Sequence, residues 1–166
     1  MPSPPDPTVW PVLHYDDTEA ALRFLVDGLG FREALAVRDR DGDIVHAELR
    51  WPQGGAVVFG STKHVDGVHG ETRAGESACY LVADDVDAVF ERVALAGAEA
   101  VEAPHETSFG SGVPTRAFTV RDPEGNLWTV GAYRGAPLSG EARCAGGDGP
   151  LDEGRAGATH RRRSGG

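Results

Sequence analysis

The chain has 166 residues, 40% of them hydrophobic, which is enough for one domain or for two small halves that share one core. Its formal net charge of −10 argues against nucleic acid or an anionic membrane as the main partner. It has only two cysteines and no apolar run long enough to cross a membrane, so a reducing cytoplasm is the predicted location.

The first half of the chain predicts the order β-α-β-β-β. Residues 1–8 are rich in proline, lack the basic and then apolar pattern of a signal peptide, and are predicted to form an extended arm. Residues 9–66 form the first unit, with Asp17 or Thr18 as the helix N-cap and a turn at Asp39–Asp43. Its predicted elements are a strand over 9–15, a helix over 18–28, and strands over 31–38, 44–51 and 56–60.

The second half repeats this order after a polar linker over residues 67–75. The second unit spans residues 76–134, and its helix begins after the N-cap Asp85. Its predicted elements are a strand over 78–83, a helix over 86–96, and strands over 98–103, 115–121 and 127–133, with a loop over 105–114. Beyond it, glycine, alanine and arginine replace the aromatic and β-branched residues, so residues 135–166 are predicted to be a disordered tail.

Two pairs of matching segments indicate that the units are duplicates. LRWPQGGAVVFG at 49–60 matches VRDPEGNLWTVG at 120–131 at an offset of 71 residues, and both contain a Pro-x-Gly turn between two strands. VLHYDDTEAA at 12–21 matches YLVADDVDAV at 80–89 at an offset of 68. The predicted fold class is therefore α+β, built from two βαβββ repeats.

This duplication, the LGF after the first helix and the DPEGNLW segment of the second unit resemble the vicinal oxygen chelate superfamily. That superfamily includes glyoxalases, ring-cleaving dioxygenases and bleomycin-resistance proteins. The resemblance covers residues 9–134 and implies curved mixed sheets around a cavity, usually in a homodimer. It does not by itself fix the chemistry, because the scaffold carries isomerases, lyases, dioxygenases and non-catalytic drug binders.

The resemblance also implies where a divalent metal would be held, on the first and last strands of each unit. Counting from the repeated landmarks assigns these positions to Trp10, Val58, Ala78 and Thr129. Metal ions in such sites need histidine nitrogen or carboxylate oxygen, and a lone threonine hydroxyl is a weak ligand. The prediction is therefore no metal and no cofactor in the cavity.

Other polar and aromatic side chains are predicted to line the cavity. Strand alternation places His14 with Trp10, and His46 with Glu48, on the face away from the helices. The two histidines and Glu48 could form an unorthodox metal site or an acid–base pair, or could be solvated residues on an open sheet face. Arg50 and Arg121 are predicted to pair with neighbouring carboxylates rather than with a ligand.

These features favour a binding protein over an enzyme. The predicted function is metal-free sequestration of an aromatic compound, with a cationic antibiotic as one option, in the manner of bleomycin-resistance proteins. The alternative is a lyase, isomerase or dioxygenase of the same fold with a displaced metal site or none. The predicted partners are a small molecule and a second copy of the chain, and the predicted ligand-binding residues are Trp10, His14, Glu48, Tyr80 and Thr129.

Overall fold

A computed structural model describes residues 6–64, 72–108 and 112–136. The predicted tail beyond residue 136, residues 1–5 of the arm and residues 67–71 of the linker lie outside the described residues. Each half contains four strands and one α-helix, and the first helix continues as a π-helical segment over Phe24–Leu29. In chain order the other elements are β1 (Val12–Tyr15), α1 (Thr18–Arg23), β2 (Arg32–Arg38), β3 (Ile44–Arg50), β4 (Ala56–Ser61), β5 (Ala78–Val82), α2 (Val86–Leu95), β6 (Glu99–Thr107), β7 (Thr115–Arg121) and β8 (Leu127–Gly131).

The strands form two four-stranded mixed sheets with the same topology. Their orders are β1-β4-β3-β2, called sheet A, and β5-β8-β7-β6, called sheet B. In each sheet the first strand runs parallel to the last strand of its unit, and the other neighbours are antiparallel. The predicted α+β fold with two βαβββ repeats is thus confirmed.

The helix caps follow the sequence signals. The Asp17 side chain accepts a hydrogen bond from the Ala20 amide at 2.9 Å, and Asp85 accepts one from the Ala88 amide at 2.9 Å. Each bond satisfies an amide that the first helical turn leaves without a partner. The π-helical segment ends at Gly30, whose φ of 96° is a left-handed conformation that favours glycine.

The two Pro-x-Gly turns have matching geometry. In the first unit the Trp51 amide donates to the Gly55 carbonyl at 3.0 Å, and in the second the Asp122 amide donates to the Asn126 carbonyl at 3.0 Å. The glycine after the proline has a φ of 106° in the first turn and 105° in the second. The repeat read from the sequence is therefore a repeat of backbone conformation as well.

One face of each sheet packs into a shared hydrophobic core. Aromatic rings join the two halves there: Phe31 lies 5.0 Å from Trp51 and 5.9 Å from Trp128, centroid to centroid. Helix α2 covers sheet B through a contact of 5.1 Å between the rings of Phe90 and Phe118. The opposite face of each sheet, here called its open face, carries the residues that alternate with these buried ones.

Polar contacts also join the second turn to the first unit. The Tyr15 hydroxyl donates to Asp122 Oδ2 at 2.7 Å, and Glu124 accepts hydrogen bonds from the amides of Asp16 and Asp17. In the other direction, Trp51 Nε1 donates to the Val82 carbonyl at 2.7 Å. Each Pro-x-Gly turn therefore contacts the end of the first strand of the other unit.

Strand β6 differs from its prediction because it continues to Thr107, so the predicted loop over 105–114 is wrong at its start. His105, Glu106 and Thr107 pair with β7, after a register shift between Glu102 and His105. The shift spans Pro104, which has no amide to donate, and β6 is the last strand of its sheet. Proline is tolerated at such an edge or bulge, so the strand resumes beyond it.

Candidate ligand-binding site

A row of four side chains crosses the open face of sheet A. The register places Val12 beside Val58, Val58 beside Glu48, and Glu48 beside Leu35. Paired residues project to the same side of a sheet, and the neighbours of Val12 in β1, Leu13 and Tyr15, are buried. This first row is therefore apolar apart from one carboxylate.

An equivalent second row crosses sheet B. It consists of Tyr80, Thr129, Thr119 and Glu102 in register order. The Thr119 hydroxyl lies 2.9 Å from that of Thr129 and 3.2 Å from Glu102 Oε2, so three members form one hydrogen-bonded chain. This row also carries one carboxylate, Glu102. It lies on β6, whereas the strand equivalent to the one that carries Glu48 is β7.

The register shows how the positions counted from the sequence, Trp10, Val58, Ala78 and Thr129, lie relative to these rows. Thr129 lies beside Tyr80, whereas Ala78 lies beside Leu127, and Val58 lies beside Val12 and not at the level of Trp10. If the row positions Val12 and Tyr80 are considered in place of Trp10 and Ala78, the set of four residues still does not form a usual metal site. Two valines offer no donor atom, and the hydroxyls of tyrosine and threonine do not match the nitrogen and carboxylate donors of the usual divalent sites. The residues at these positions do not fit a catalytic cation.

Tyr80 is held over β8 by the absence of a side chain at Gly131. A Cβ atom at Gly131 would lie 2.6 Å from the Tyr80 hydroxyl oxygen, closer than atoms can approach. The hydroxyl donates to the Tyr133 carbonyl at 3.0 Å. Partial burial raises the pKa of the Tyr80 phenol, so the hydroxyl keeps its proton at neutral pH.

Trp10 does not present both faces of its ring to a ligand. The Arg50 guanidinium lies over the indole, 4.4 Å from the ring centroid, and the indole nitrogen donates to the Pro7 carbonyl at 2.9 Å. Within the described residues Arg50 has no carboxylate partner, so the prediction that it forms an ion pair is wrong. Its repeat partner Arg121 does lie near a carboxylate, at 4.0 Å from Glu99.

The histidines predicted near the cavity are placed on sheet A. His46 Nε2 lies 3.1 Å from Glu48 Oε1, which brings the predicted pair together. His14 follows Val12 along the same face and pairs in register with Gly60. Within the described residues, these two histidines and Glu48 are not close enough together to share one metal ion.

A mostly apolar cavity of about 560 Å³ opens between the first Pro-x-Gly turn and β5. Its volume falls in the range of small-molecule sites. Tyr80 lines it, whereas Trp10, His14, Glu48 and Thr129 do not. The sequence did not predict this cavity, because its walls combine core residues with turn and strand residues of both units. They include Phe31, Trp51, Val57, Cys79, Leu81 and Arg134.

Fold and site together define a two-unit protein whose row positions on the first and last strands of each unit hold valine, tyrosine and threonine in place of histidine or carboxylate. A model of the Glyoxalase/Bleomycin resistance protein/Dioxygenase superfamily matches residues 9–130, and the chain belongs to this family. It is 29% identical over 137 residues to the uncharacterized protein Mb0911c of Mycobacterium bovis, covering 76% of this chain and 83% of that protein.

Solved structures support the same assignment. TioX from Micromonospora sp. ML1 is similar with a TM-score of 0.59 and 31% identity, covering 74% of this chain and 97% of TioX. Lactoylglutathione lyase from Agrobacterium tumefaciens is similar with a TM-score of 0.57 and 20% identity. The match covers 77% of this chain and 94% of the lyase chain. At that identity the lyase shares the fold only. Among the described residues, no helix is long and apolar enough to cross a membrane.

Proposed function

We propose that this protein binds a planar aromatic small molecule and acts by sequestering it, without a metal ion in the binding site. The observation that carries the proposal is the position of Tyr80. Its partly exposed ring belongs to the second row and also borders the 560 Å³ cavity. The first- and last-strand positions of the two rows hold Val12, Val58, Tyr80 and Thr129, which do not supply the histidine or carboxylate donors of a metal-dependent site.

The walls of the cavity suit an aromatic ligand. Phe31, Trp51 and Leu81 contribute apolar surface, and aromatic rings gain from offset stacking or edge contacts in addition to burial. A cationic group on the ligand would reach a row carboxylate, Glu48 or Glu102, only by extending from the cavity onto an open face, because neither residue lines the cavity. Trp10 is a poor site for that group because the Arg50 guanidinium already lies over its ring.

The test is a titration with bleomycin-like and anthracycline-like compounds, followed by tryptophan fluorescence and by calorimetry. Trp51 lines the cavity, so its emission should change as the ligand binds. We expect Tyr80→Ala to weaken binding about ten-fold or more, equivalent to at least ~1.4 kcal/mol. Leu95→Ala is the matched control, since this α2 residue is 90% exposed and lies outside the cavity lining. Failure of every compound to bind would contradict the proposal.

We also propose that two copies associate through the open faces. Val12, Leu35 and Tyr80 are large apolar residues on these faces and are 46%, 43% and 41% exposed. Large apolar side chains that remain this exposed are typical of an interaction site. Sedimentation should give a dimer for the native chain and a monomer for Leu35→Glu, with Leu95→Glu as control. A native monomer at micromolar concentration would contradict this proposal.

One observation favours an enzyme as the second candidate. The contact of 3.1 Å between His46 and Glu48 on an open face is the geometry of an acid–base pair that needs no metal. If this pair is catalytic, a hemithioacetal or another carbonyl substrate should turn over in the presence of a chelator, and His46→Gln should abolish the turnover. Retention of activity in His46→Gln would exclude this role.

A further inference from the structure

Away from both rows, three side chains with metal-binding atoms converge at one end of sheet A. Asp39 and Asp43 lie in the turn between β2 and β3, and His64 follows β4. One ligand atom from each residue lies within 4.8 Å of the other two. Within the residues that the structure describes, this is the one group of three histidine, cysteine or carboxylate side chains with such spacing.

The fold orients both carboxylates in the same way. Asp39 Oδ1 accepts hydrogen bonds from the amides of Asp41 at 2.9 Å and Asp43 at 3.0 Å. Asp43 Oδ1 accepts one from the Thr18 hydroxyl at 2.8 Å, and that hydroxyl is itself fixed by the Ile44 amide at 3.0 Å. In each carboxylate Oδ1 is therefore held by the fold, whereas Oδ2 faces the other charged side chains: Asp39 Oδ2 contacts His64, and Asp43 Oδ2 lies nearest Lys63.

The distances suit a tetrahedral ion after small movements. His64 Nε2 lies 2.9 Å from Asp39 Oδ2 and 3.9 Å from Asp43 Oδ2. Zinc bonds of about 2.0–2.1 Å at tetrahedral angles would separate ligand atoms by about 3.3 Å. Adjustments of less than about 1 Å would therefore bring the three atoms to coordinating positions.

Asp43 is the second indication that a cation belongs here. Its side chain is only 12% exposed, and Oδ2 is enclosed by protein without accepting a hydrogen bond from the described residues. The nearest positive group, Lys63 Nζ, forms a looser ion pair at 3.4 Å, and the lysine side chain is mostly exposed. Such pairs contribute little, so the ammonium can leave when a metal ion arrives.

We propose that Asp39, Asp43 and His64 bind one divalent transition-metal ion of the zinc type, with water completing the coordination. One imidazole nitrogen and two carboxylate oxygens suit zinc better than calcium or magnesium, which prefer oxygen ligands alone. The ion would tie the β2–β3 turn to the segment that follows β4. The site is separate from the open-face rows, so the test of metal binding is independent of the test of the proposed function.

The test uses the full chain stripped with EDTA, dialysed free of chelator and titrated with Zn²⁺ by calorimetry. The spectrum of bound Co²⁺ then reports the geometry. All variants carry His69→Gln and His160→Gln, which remove background histidines. We expect one ion per chain, at least about ten-fold weaker binding in His64→Gln and Asp43→Asn, and tighter binding in Lys63→Met. His46→Gln is the matched control, because that histidine also contacts a carboxylate but belongs to no group of three.

Three results would overturn the proposal: no binding below millimolar Zn²⁺, unchanged affinity in both His64→Gln and Asp43→Asn, or equal weakening in His46→Gln. Circular dichroism of each variant confirms that it is folded. Lys63→Met keeps the test valid even if Asp43→Asn fails to fold, because this exposed residue can change without disturbing the core.

Discussion

The buried bond between Tyr15 and Asp122 gives the sharpest test of how the two units are held together. Tyr15 is fully buried, and its hydroxyl donates to Asp122 Oδ2 at 2.7 Å. The same carboxylate accepts from the Glu124 and Asn126 amides, the Asn126 side chain and the Trp128 indole, at 2.8–3.1 Å. Tyr15→Phe removes one donor without removing the ring, so it isolates the bond between the units.

The loss of stability expected for Tyr15→Phe at pH 8 follows from these contacts. A hydrogen bond to a charged group contributes about 1.5–3 kcal/mol. Four other donors still satisfy Asp122 in the variant, and the hydroxyl leaves too little space for a water molecule. The lower end of the range applies, so the free energy of unfolding should fall by about 1.5 kcal/mol.

The difference in the free energy of unfolding between the native protein and Tyr15→Phe should depend on pH in a defined direction. Burial, followed by the charge of Asp122, raises the pKa of Tyr15 far above its ordinary value. Below about pH 10 both folded and unfolded chains keep the phenolic proton, and the stabilisation is complete. Above that, only the unfolded chain ionises, and the native protein loses about 1.4 kcal/mol per pH unit relative to Tyr15→Phe. The two proteins should therefore reach equal stability near about pH 11.

Urea unfolding followed by far-ultraviolet circular dichroism at pH 8, 9, 10 and 11 measures both effects. Cys79 and Tyr80, whose pKa values are also raised by burial, remain in both proteins, so their contributions cancel. Stability curves that stay parallel from pH 8 to pH 11 would refute the reasoning. A difference below about 0.5 kcal/mol at pH 8 would show that the bond contributes little to joining the units.

Three further predictions concern single contacts. Trp51→Phe leaves the Val82 carbonyl without its indole donor and should lower the free energy of unfolding by about 1–3 kcal/mol in urea unfolding, more than Trp10→Phe. Gly30→Ala and Gly42→Ala both strain a positive φ, but only at residue 30 would the new Cβ collide with the Arg92 guanidinium. Gly30→Ala should therefore lower the melting temperature more. Arg50→Met should shift the emission of Trp10 by removing the cation over its ring, and an unchanged spectrum would contradict that contact.

The sequence predicted the fold well because the signals that encode it are local and occur twice. Asp85 caps its helix as the sequence indicates, and Gly54 and Gly125 take up the same backbone conformation 71 residues apart. Counting from such landmarks located the strands to within a few residues. Only β6 was seriously misplaced, because its predicted strand ended at residue 103, whereas the observed strand continues to Thr107 after a register shift.

The candidate site was harder to predict because it depends on which residues of different strands lie side by side. The count assigned Trp10 and Ala78, two residues before the positions that pair with Val58 and Thr129. An offset of two residues preserves the face of the sheet, so alternation alone could not show which residues lie side by side. The position of Arg50 over Trp10 was missed for a similar reason, since a side-chain contact across strands leaves no periodic trace. The contacts of Asp39 and Asp43 with His64 join segments more than 20 residues apart in the same way.

The two Pro-x-Gly turns explain why duplicated segments have diverged at one position. Trp51 and Asp122 are equivalent residues, each the first of its turn, and each contacts the end of the first strand of the other unit. The partners differ, because Tyr15 offers a hydroxyl while Val82 offers a backbone carbonyl. A carboxylate can accept from the Tyr15 hydroxyl, but it has no proton to donate to the Val82 carbonyl, which requires a donor such as the Trp51 indole. Trp51→Asp would set a carboxylate against a carbonyl with no donor between them. It should therefore destabilise the fold more than Trp51→Phe, although aspartate is the residue that the second repeat carries.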